Sequence, residues 1–440
     1  MLSQGASAII RQLEHAGFEA YTVGGCVRDL LLGITPDDID ITTNATPEQM
    51  MKVLSAFRLI PTGLQHGTVT VLAEGESFEV TTYRTDGTYS DGRHPDNVSF
   101  SASLEEDLAR RDFTVNAMAY HPEKGLIDPF GGQEDLKNRL LRCVGNPTTR
   151  FTEDALRIAR LVRFMSVLGF HAESDTARAA HTLCDRLSLV AAERKRVELM
   201  KLLVGGSFSQ VALSFTDVLC RLVPALTPLV GFEQHNPHHE FDVYTHTVRA
   251  VAHAVQDPVV RLAVLLHDIG KPATFFLDEQ GIGHFYGHPP ISETLTKTAL
   301  TDLRFDNATI EAVLPLVRYH DMPIHNDRKQ IKRRLSKLGK ETFLRLLHVK
   351  EADAMGCREN SLPPDFRAVR ELVEDIYREQ ECLTLRDLAV NGKDLLALGI
   401  PAGPSLGYLL GFLLEAVLDE RCANEHDALI TLVKERAKDV

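Results

Sequence analysis

The sequence predicts an α/β N-terminal head, a small sheet with helices, followed by a long all-α remainder. Short strand-like runs bounded by glycine and polar turns recur at Ala20–Val23, Asp38–Thr42, Leu59–Leu72 and Ser77–Thr82. From about residue 134 onward the pattern is helical throughout, with no convincing later strand run. A chain of 440 residues is long enough for two to four domains with real cores.

Composition narrows the setting. Apolar content of 44% and charged content of 25% are ordinary globular values. No stretch approaches roughly 18 uninterrupted apolar residues, and MLSQGASAII lacks a cationic start before an apolar run. Neither a membrane span nor a signal peptide is expected. Seven cysteines without a CxxC pair fit a reducing cytoplasm better than a disulfide framework. The net charge of −13 argues against a nucleic-acid partner, but Lys137–Arg163 reverses it locally, with seven basic residues against two acidic ones.

Taken in order, residues 1–19 read as a helix with Ala8, Ile9, Leu13 and Phe18 on one side. The stretch YTVGGCVRDLLLGITPDDID then organises the head. A strand ends in the tight turn Gly24-Gly25, and an amphipathic helix runs from Val27 to Leu32 until Gly33 stops it. Strand, glycine turn and helix start together make a phosphate seat, because backbone N–H groups and the helix dipole face the turn. Arg28 adds a cation there. In Asp38-Ile39-Asp40-Ile41-Thr42 the period of two puts both carboxylates on one face and both isoleucines toward the core. Paired carboxylates repel unless a divalent cation sits between them. A generic glycine turn, or a solvated acidic strand end, fits either half alone. Both within twenty residues, phosphate seat then metal seat, point to nucleotidyl transfer, with metal ions clamping a nucleoside triphosphate for in-line attack.

Thr46-Pro47-Glu48 opens another helix, with threonine as cap and proline in the first turn. Glu79, on the strand SFEVTT, can supply a third carboxylate or be an ordinary exposed strand residue. Residues 85–98 (TDGTYSDGRHPDNV) are too polar for core and read as a mobile loop, and Ser103 with Glu106 caps the helix that leads to Arg110-Arg111-Asp112. A helix beginning near Phe151 carries Glu153, Asp154, Arg157, Arg160 and Arg163 at spacings of three, neighbours along one surface. A solvated charged face fits the same residues. Further on, His246, His267-Asp268, His284, His288, His320 and Asp353 lie on predicted helices or their ends. A lone histidine is usually structural; this concentration around a His-Asp pair suggests a metal site.

These residues resemble the class II tRNA nucleotidyltransferases, the bacterial CCA-adding enzymes and their poly(A) polymerase relatives. Gly24-Gly25 with Arg28-Asp29 and Asp38/Asp40 look like the family's first motif, Arg110-Arg111-Asp112-Phe113-Thr114 with Asn116-Ala117 like its head-to-neck hinge, and Glu153-Asp154-Ala155-Leu156-Arg157 like its template motif. His246, His267-Asp268 and the later His and Asp residues resemble the HD superfamily of metal-dependent phosphohydrolases. The resemblance implies a nucleotidyltransferase head over 1–135, a helical neck for nucleotide selection and tRNA binding over 136–230, an HD-type domain over 231–360 and a helical tail over 361–440.

It also implies roles. Asp38 and Asp40, with Glu79, are the catalytic carboxylates and hold Mg²⁺; Gly24, Gly25, Arg28 and Arg111 receive the nucleotide, and Arg160 and Arg163 reach the triphosphate or the primer. Asp154 and Arg157 replace a templating base. Cytosine and adenine each present an amino donor beside a ring-nitrogen acceptor, which a carboxylate and a guanidinium match. Uracil and guanine present the reverse pattern and would leave buried charge unpaired. His246, His267, Asp268 and Asp353 would hold a second divalent metal, Ni, Mn, Mg or Fe.

The implied activity is addition of C, C and A to the tRNA 3′ end from CTP and ATP. The alternatives are an A-adding or poly(A) polymerase, an HD phosphohydrolase of 2′,3′-cyclic or other phosphate esters as second or main activity, and an HD segment that only binds RNA. Residues 61–70 and the loop 86–96 look like the CCA-adding form. Arg194, Lys195, Arg196 and Lys201 fit an RNA path and an ordinary exposed helix face equally.

Overall fold

The computed structural model describes residues 3–64, 67–86, 98–100 and 103–436. Most of the loop at 85–98, and two residues of the 61–70 segment, lie outside the described residues. The chain forms two compact units, Met1–Thr227 with Asp302–Arg304, and Pro228–Thr301 with Phe305–Val440.

In the first unit α1 (Gln4–His15) is capped by Ser3, whose hydroxyl accepts from the Ala6 N–H, and buries Ile9, Ile10 and Leu13. Next come β1 (Ala20–Val23), α2 (Gly25–Leu31), β2 (Ile39–Thr43), α3 (Pro47–Val53), β3 (Arg58–Gly63), β4 (Thr68–Ala73) and β5 (Glu76–Thr82). The predicted helix thus begins at Gly25 rather than Val27, because Gly24 itself serves as N-cap. A minor pair, β6 (Arg84–Asp86) and β7 (Val98–Phe100), precedes α4 (Leu104–Ala109), β8 (Ala119–His121) and β9 (Gly125–Ile127).

Seven strands make one mixed sheet in the order β3-β4-β5-β2-β1-β8-β9, with β2 and β5 parallel and the other pairs antiparallel. Ile41, Val69, Val71, Phe78 and Val80 point to one face and pack on Ile9, Ile10 and Leu13 of α1 and Met50 of α3. That burial fixes the register, because a one-residue slip would turn every side chain over.

After α5 (Gly132–Lys137) the unit is helical: α6 (Pro147–Glu153), α7 (Leu156–Leu168), α8 (Ser174–Leu183), α9 (Ala192–Leu203), α10 (Phe208–Ser214) and α11 (Thr216–Leu222). Two-residue strands β10 (Leu140–Leu141) and β11 (His171–Ala172) also form, too short to leave an alternating pattern in the sequence. The single helix expected from Phe151 is two helices. Asp154 breaks it with extended backbone (φ −139°, ψ 103°), so Asp154 and Arg157 are not neighbours on one helical face.

The second unit contains α12 (Val243–His253), α13 (Pro258–Leu266), α14 (Lys271–Thr274), the hairpin β12 (Phe276–Leu277) and β13 (Gly283–His284), α15 (His288–Asp302), α16 (Asn307–Tyr319) and α17 (Arg328–Gly356). The last bends at Gly339, whose φ of 75° interrupts the helix. α18 (Arg367–Arg378), α19 (Gly392–Ala397), α20 (Pro404–Leu418) and α21 (His426–Arg436) complete it around two apolar clusters, one centred on Phe343 and Leu347, the other on Leu413 and Leu429.

Replacing Ile41 by alanine should cost about 2–5 kcal/mol, since it leaves a hole beneath the sheet. The exposed Leu31→Ala should stay within about 0.5 kcal/mol. Urea midpoints of the two variants check this; equal midpoints would contradict it.

Candidate functional site

Gly24 has φ 82° and ψ −132°, a conformation that side-chain-bearing residues rarely adopt. A Cβ there would stand 2.8 Å from Arg111 Nη1, so a larger residue would also displace that guanidinium. Its own N–H is used, donating to the Met118 carbonyl at 3.1 Å.

Asp38 lies one residue before β2 and Asp40 lies on it. The parallel pairing of β2 with β5 sets Asp40 directly beside Glu79, which is exposed. Burial raises the proton affinity of Asp40; Arg111 opposes the rise, while Glu79 and Asp38 add to it. Carboxylates gathered at such a cost are the donor set a hard divalent cation needs.

A cleft of about 510 Å³ lies within this unit, lined by Gly24, Gly25, Asp38 and Asp40, by Arg28, Arg111 and Asp112, and by Asp154, Arg157, Arg160, Arg163 and Arg194. It therefore collects all of the residues expected to act in catalysis or nucleotide binding except Glu79, while Glu153, Lys195 and Arg196 do not line it.

Their engagements differ from the simplest expectation. Arg28 is buried and donates to Asp29 Oδ1 (2.8 Å) and Asn116 Oδ1 (2.7 Å). Its guanidinium therefore braces the glycine turn against the hinge segment. Arg160 Nε donates to Asp112 Oδ2 at 2.7 Å, and Arg163 pairs with Glu198 at 2.8 Å. Arg157 Nη1 donates to Glu153 Oε2 (2.7 Å) and the Arg150 carbonyl (3.1 Å), and Nη2 to the Arg110 carbonyl (2.9 Å). Asp154 accepts from Arg194 Nη2 at 2.8 Å and from the Leu156 N–H at 3.0 Å. The basic stretch 137–163 is thus less open than its count suggests: Arg142, Arg150, Arg157, Arg160 and Arg163 all have carboxylate partners.

Sequence reasoning missed Asp112, Asn116, Arg194 and Glu198 as members of this network. Asp112 and Asn116 sat inside the hinge motif. Arg194 and Glu198 are a turn apart on α9; Arg194 lines the cleft and Glu198 pairs with Arg163 only because α9 packs along α7, which no local pattern announces.

The second unit brings His246, His267, Asp268 and Asp353 together. His246 Nε2 is 3.4 Å from Asp268 Oδ2 and 3.1 Å from Asp353 Oδ1; His267 Nε2 is 3.2 Å and 3.4 Å from the same atoms. The two Nε2 atoms face each other at 3.3 Å. All but Asp353 are fully buried. Burial works against ionising Asp268, yet His267 and the Lys271 ammonium, 2.7 Å from Oδ2, hold its carboxyl well below the usual range. Oδ2 nevertheless accepts no hydrogen bond of normal geometry. His288 and His320 join at the other oxygen of Asp268, whereas His284 pairs with Asp278 (2.8 Å) and stacks between Phe276 and Tyr286. Lys271 and Gln234, hydrogen-bonded at 2.9 Å, were not singled out from the sequence.

A small mixed sheet carrying acidic residues beside a glycine turn, with a basic helical wall over it, defines a nucleotidyltransferase. Residues 20–142 match the family described as poly A polymerase head domain, and residues 279–433 match tRNA nucleotidyltransferase domain 2. The CCA-adding enzyme of Leuconostoc mesenteroides is 34% identical over 436 residues, 99% of this chain and 96% of its own. That of Geobacillus thermodenitrificans is 52% identical over 202 residues, 46% of this chain and 50% of its own. The crystal structure of Bacillus stearothermophilus CCA-adding enzyme in complex with CTP is 31% identical, covers 99% of both chains and has a TM-score of 0.77. The chain belongs to the CCA-adding enzyme family. Among the described residues no helix is long and apolar enough to cross a membrane.

Asp112 ties the cleft to fold stability. Although burial works against its charge, Arg160, Asn116 and the Phe113 N–H lower its carboxyl to about 2, from an ordinary 3.8. A depressed value stabilises the fold above pH 4 and is lost as pH falls toward 2, a contribution of roughly 2 kcal/mol. Acid titration should show the first unit weakening in that window. Asp112→Asn should be less stable at neutral pH and show a flatter profile; an unchanged profile would contradict the role.

Proposed function

We propose that this chain adds C, C and A to the 3′ end of tRNA from CTP and ATP without a nucleic-acid template. The observation that carries the proposal is one cleft holding Asp38 and Asp40 on one side and Asp154 and Arg157 on the other. The family supports the same reading: relatives across nearly the full length are CCA-adding enzymes, one solved with CTP. An A-adding or poly(A) activity is not favoured.

In the reaction the terminal ribose hydroxyl attacks the α-phosphorus, an O–P bond forms, the α–β bridging P–O bond breaks and pyrophosphate leaves. Asp38 and Asp40, with Glu79 beside them, would hold divalent cations, which we take as Mg²⁺ because all-carboxylate oxygen donors suit it. When bound, those cations stabilise charge on the attacking and leaving oxygens. Arg111 stands between Asp107 and the glycine turn, where it can meet the triphosphate.

Asp154 accepts the N4 or N6 amino hydrogen and Arg157 donates to N3 or N1. Asp154 can do so without giving up Arg194, since a carboxylate has about four acceptor positions. Arg194 and Glu153 therefore act as positioning residues for the pair. The seven cysteines are all free thiols, in keeping with a cytoplasmic setting.

A second reading concerns the cluster of the second unit. Asp268 Oδ2, buried between two imidazoles with Asp353 beside them, fits a divalent ion on His246, His267, Asp268 and Asp353. Beside it lies a cleft of about 480 Å³ lined by Lys271 and His239, a setting for phosphate-ester hydrolysis.

Asp38→Ala or Asp40→Ala should lower CTP incorporation on the order of 10³-fold or more, as expected when charge stabilisation of phosphoryl transfer is removed, while sparing phosphatase activity; Asp268→Ala should do the reverse. Intact incorporation by Asp38→Ala would sink the site assignment. Asp154→Ala and Arg157→Ala should relax the choice of base, so that single-turnover rates with UTP and GTP approach those with CTP and ATP. Discrimination unchanged in both would remove the templating role.

A further inference from the structure

The β12–β13 hairpin has two unlike faces. Phe276 stands opposite His284 in antiparallel register, and neighbours along an extended chain point to opposite sides. Phe275 and Phe285 form the inner face. Their ring centroids are 5.5 Å apart, Phe275 meets Phe232 edge to face at 5.3 Å, and the Lys271 ammonium lies 5.1 Å from the centre of the Phe285 ring. Phe276, His284 and Tyr286 form the outer face. Their centroids make a triangle of 5.2, 5.3 and 5.7 Å, with rings inclined by 20°, 29° and 49°. This patch is open to solvent, since Tyr286 is 74% exposed and Phe276 46%. A single exposed ring is ordinary, whereas three gathered rings mark an interaction site.

The patch is also fixed in place. His284 Nε2 lies 2.8 Å from Asp278 Oδ2, and Asp278 Oδ1 accepts from the N–H groups of Gln280 and Ile282, both at 2.9 Å. Gly283 sits so close to Gln234 that a Cβ would fall 2.0 Å from its carbonyl oxygen. The Gly283 N–H donates to the His235 carbonyl at 2.8 Å, and its own carbonyl accepts from Asn236 Nδ2 at 3.1 Å. The hairpin is thus clamped to residues 234–236, which lowers the entropy a ligand loses by ordering it.

What lands there is decided by the neighbourhood. His284 and Tyr286 line the cleft of about 480 Å³, together with Asn236, His239, Lys271 and Asp321. A polar cleft with an aromatic lip matches a ligand that is flat and apolar at one end and charged at the other. An apolar helix or an acyl chain would match the lip alone. A nucleotide matches both parts, and every base has a π-face that stacks on aromatic side chains whatever its sequence.

We propose that Tyr286, His284 and Phe276 form a stacking platform for the base of a nucleotide, free or at an RNA end, whose phosphate enters the adjoining cleft. The phosphate end of this ligand rests on the phosphate-ester reading given above; the base end rests on the hairpin. Tyr286 is then the residue that favours nucleotides over esters without a base.

The test uses the full-length chain carrying Asp38→Asn and Asp40→Asn, and 2-aminopurine riboside 5′-monophosphate, whose fluorescence is quenched when its base stacks. A monophosphate also lacks the pyrophosphate that the head clamps. Saturable quenching is expected, weakened about 10-fold or more by Tyr286→Ala and retained by Tyr286→Phe. Phe276→Ala, away from the cleft lining, should weaken it less. Short RNAs ending in the same base tell a terminus from a free nucleotide by which binds more tightly. With the Mn²⁺-loaded chain, Tyr286→Ala should raise KM for the nucleotide and leave both kcat and the hydrolysis of ribose 5-phosphate unchanged. Absent quenching, or quenching equal in the parent and Tyr286→Ala, would overturn the platform even if both esters are hydrolysed. Quenching lost in Tyr286→Ala without hydrolysis of either ester would uphold the platform and overturn the phosphate-ester reading.

Discussion

The parallel pairing of β2 with β5 is the constraint on which the head depends. It sets Asp40 beside Glu79, with Asp38 one residue before the strand, an arrangement that electrostatics alone would disperse. Ile41 and Val80 hold it in place, both fully buried on the opposite face, so no shift of register can relieve the repulsion without exposing core. Hydrophobic burial, summed over the α1–sheet interface, therefore maintains a local electrostatic cost of the kind a divalent cation relieves. Arg111 moderates that cost.

A second layer of fixed charge surrounds that pair. Arg28 braces the turn to Asn116, Asn116 donates to Asp112, and Asp112 accepts from Arg160 on α7. The chain of hydrogen bonds runs from the glycine turn through the hinge segment to the neck helix, and it is largely buried. Such a network fixes geometry more than it adds stability, because each charge has already been desolvated. Its consequence is that the glycine turn, the hinge segment and the neck helix form one assembly around the cleft.

Much of this was legible in the sequence. The strand–glycine turn–helix unit, the alternating aspartates and the capped helices are local patterns, and each appears where expected. What the sequence could not show is pairing. Five arginines counted as an open basic stretch turned out to be held by Asp135, Glu153, Asp112 and Glu198, because charge counting sees neither burial nor long-range partners. The helix break at Asp154 was equally hidden, since no proline or glycine marks it. His284 looked like a cluster member by composition but joins Asp278 across the β12–β13 hairpin, while His288 and His320 are gathered from different helices. Sequence spacing identifies chemistry-bearing residue types; only packing assigns them to a site.

The central claim is that protein side chains, rather than a template, choose the base at a carboxylate-held metal site. The most direct measurement is sequencing of 3′ ends after incubation of the chain with tRNA ending at the discriminator base and all four nucleoside triphosphates. The account predicts products ending in C, C, A and no further extension, with two cytidines added when CTP is the only nucleotide. Runs of A, or uridine and guanosine at frequencies comparable to cytidine and adenosine, would contradict it.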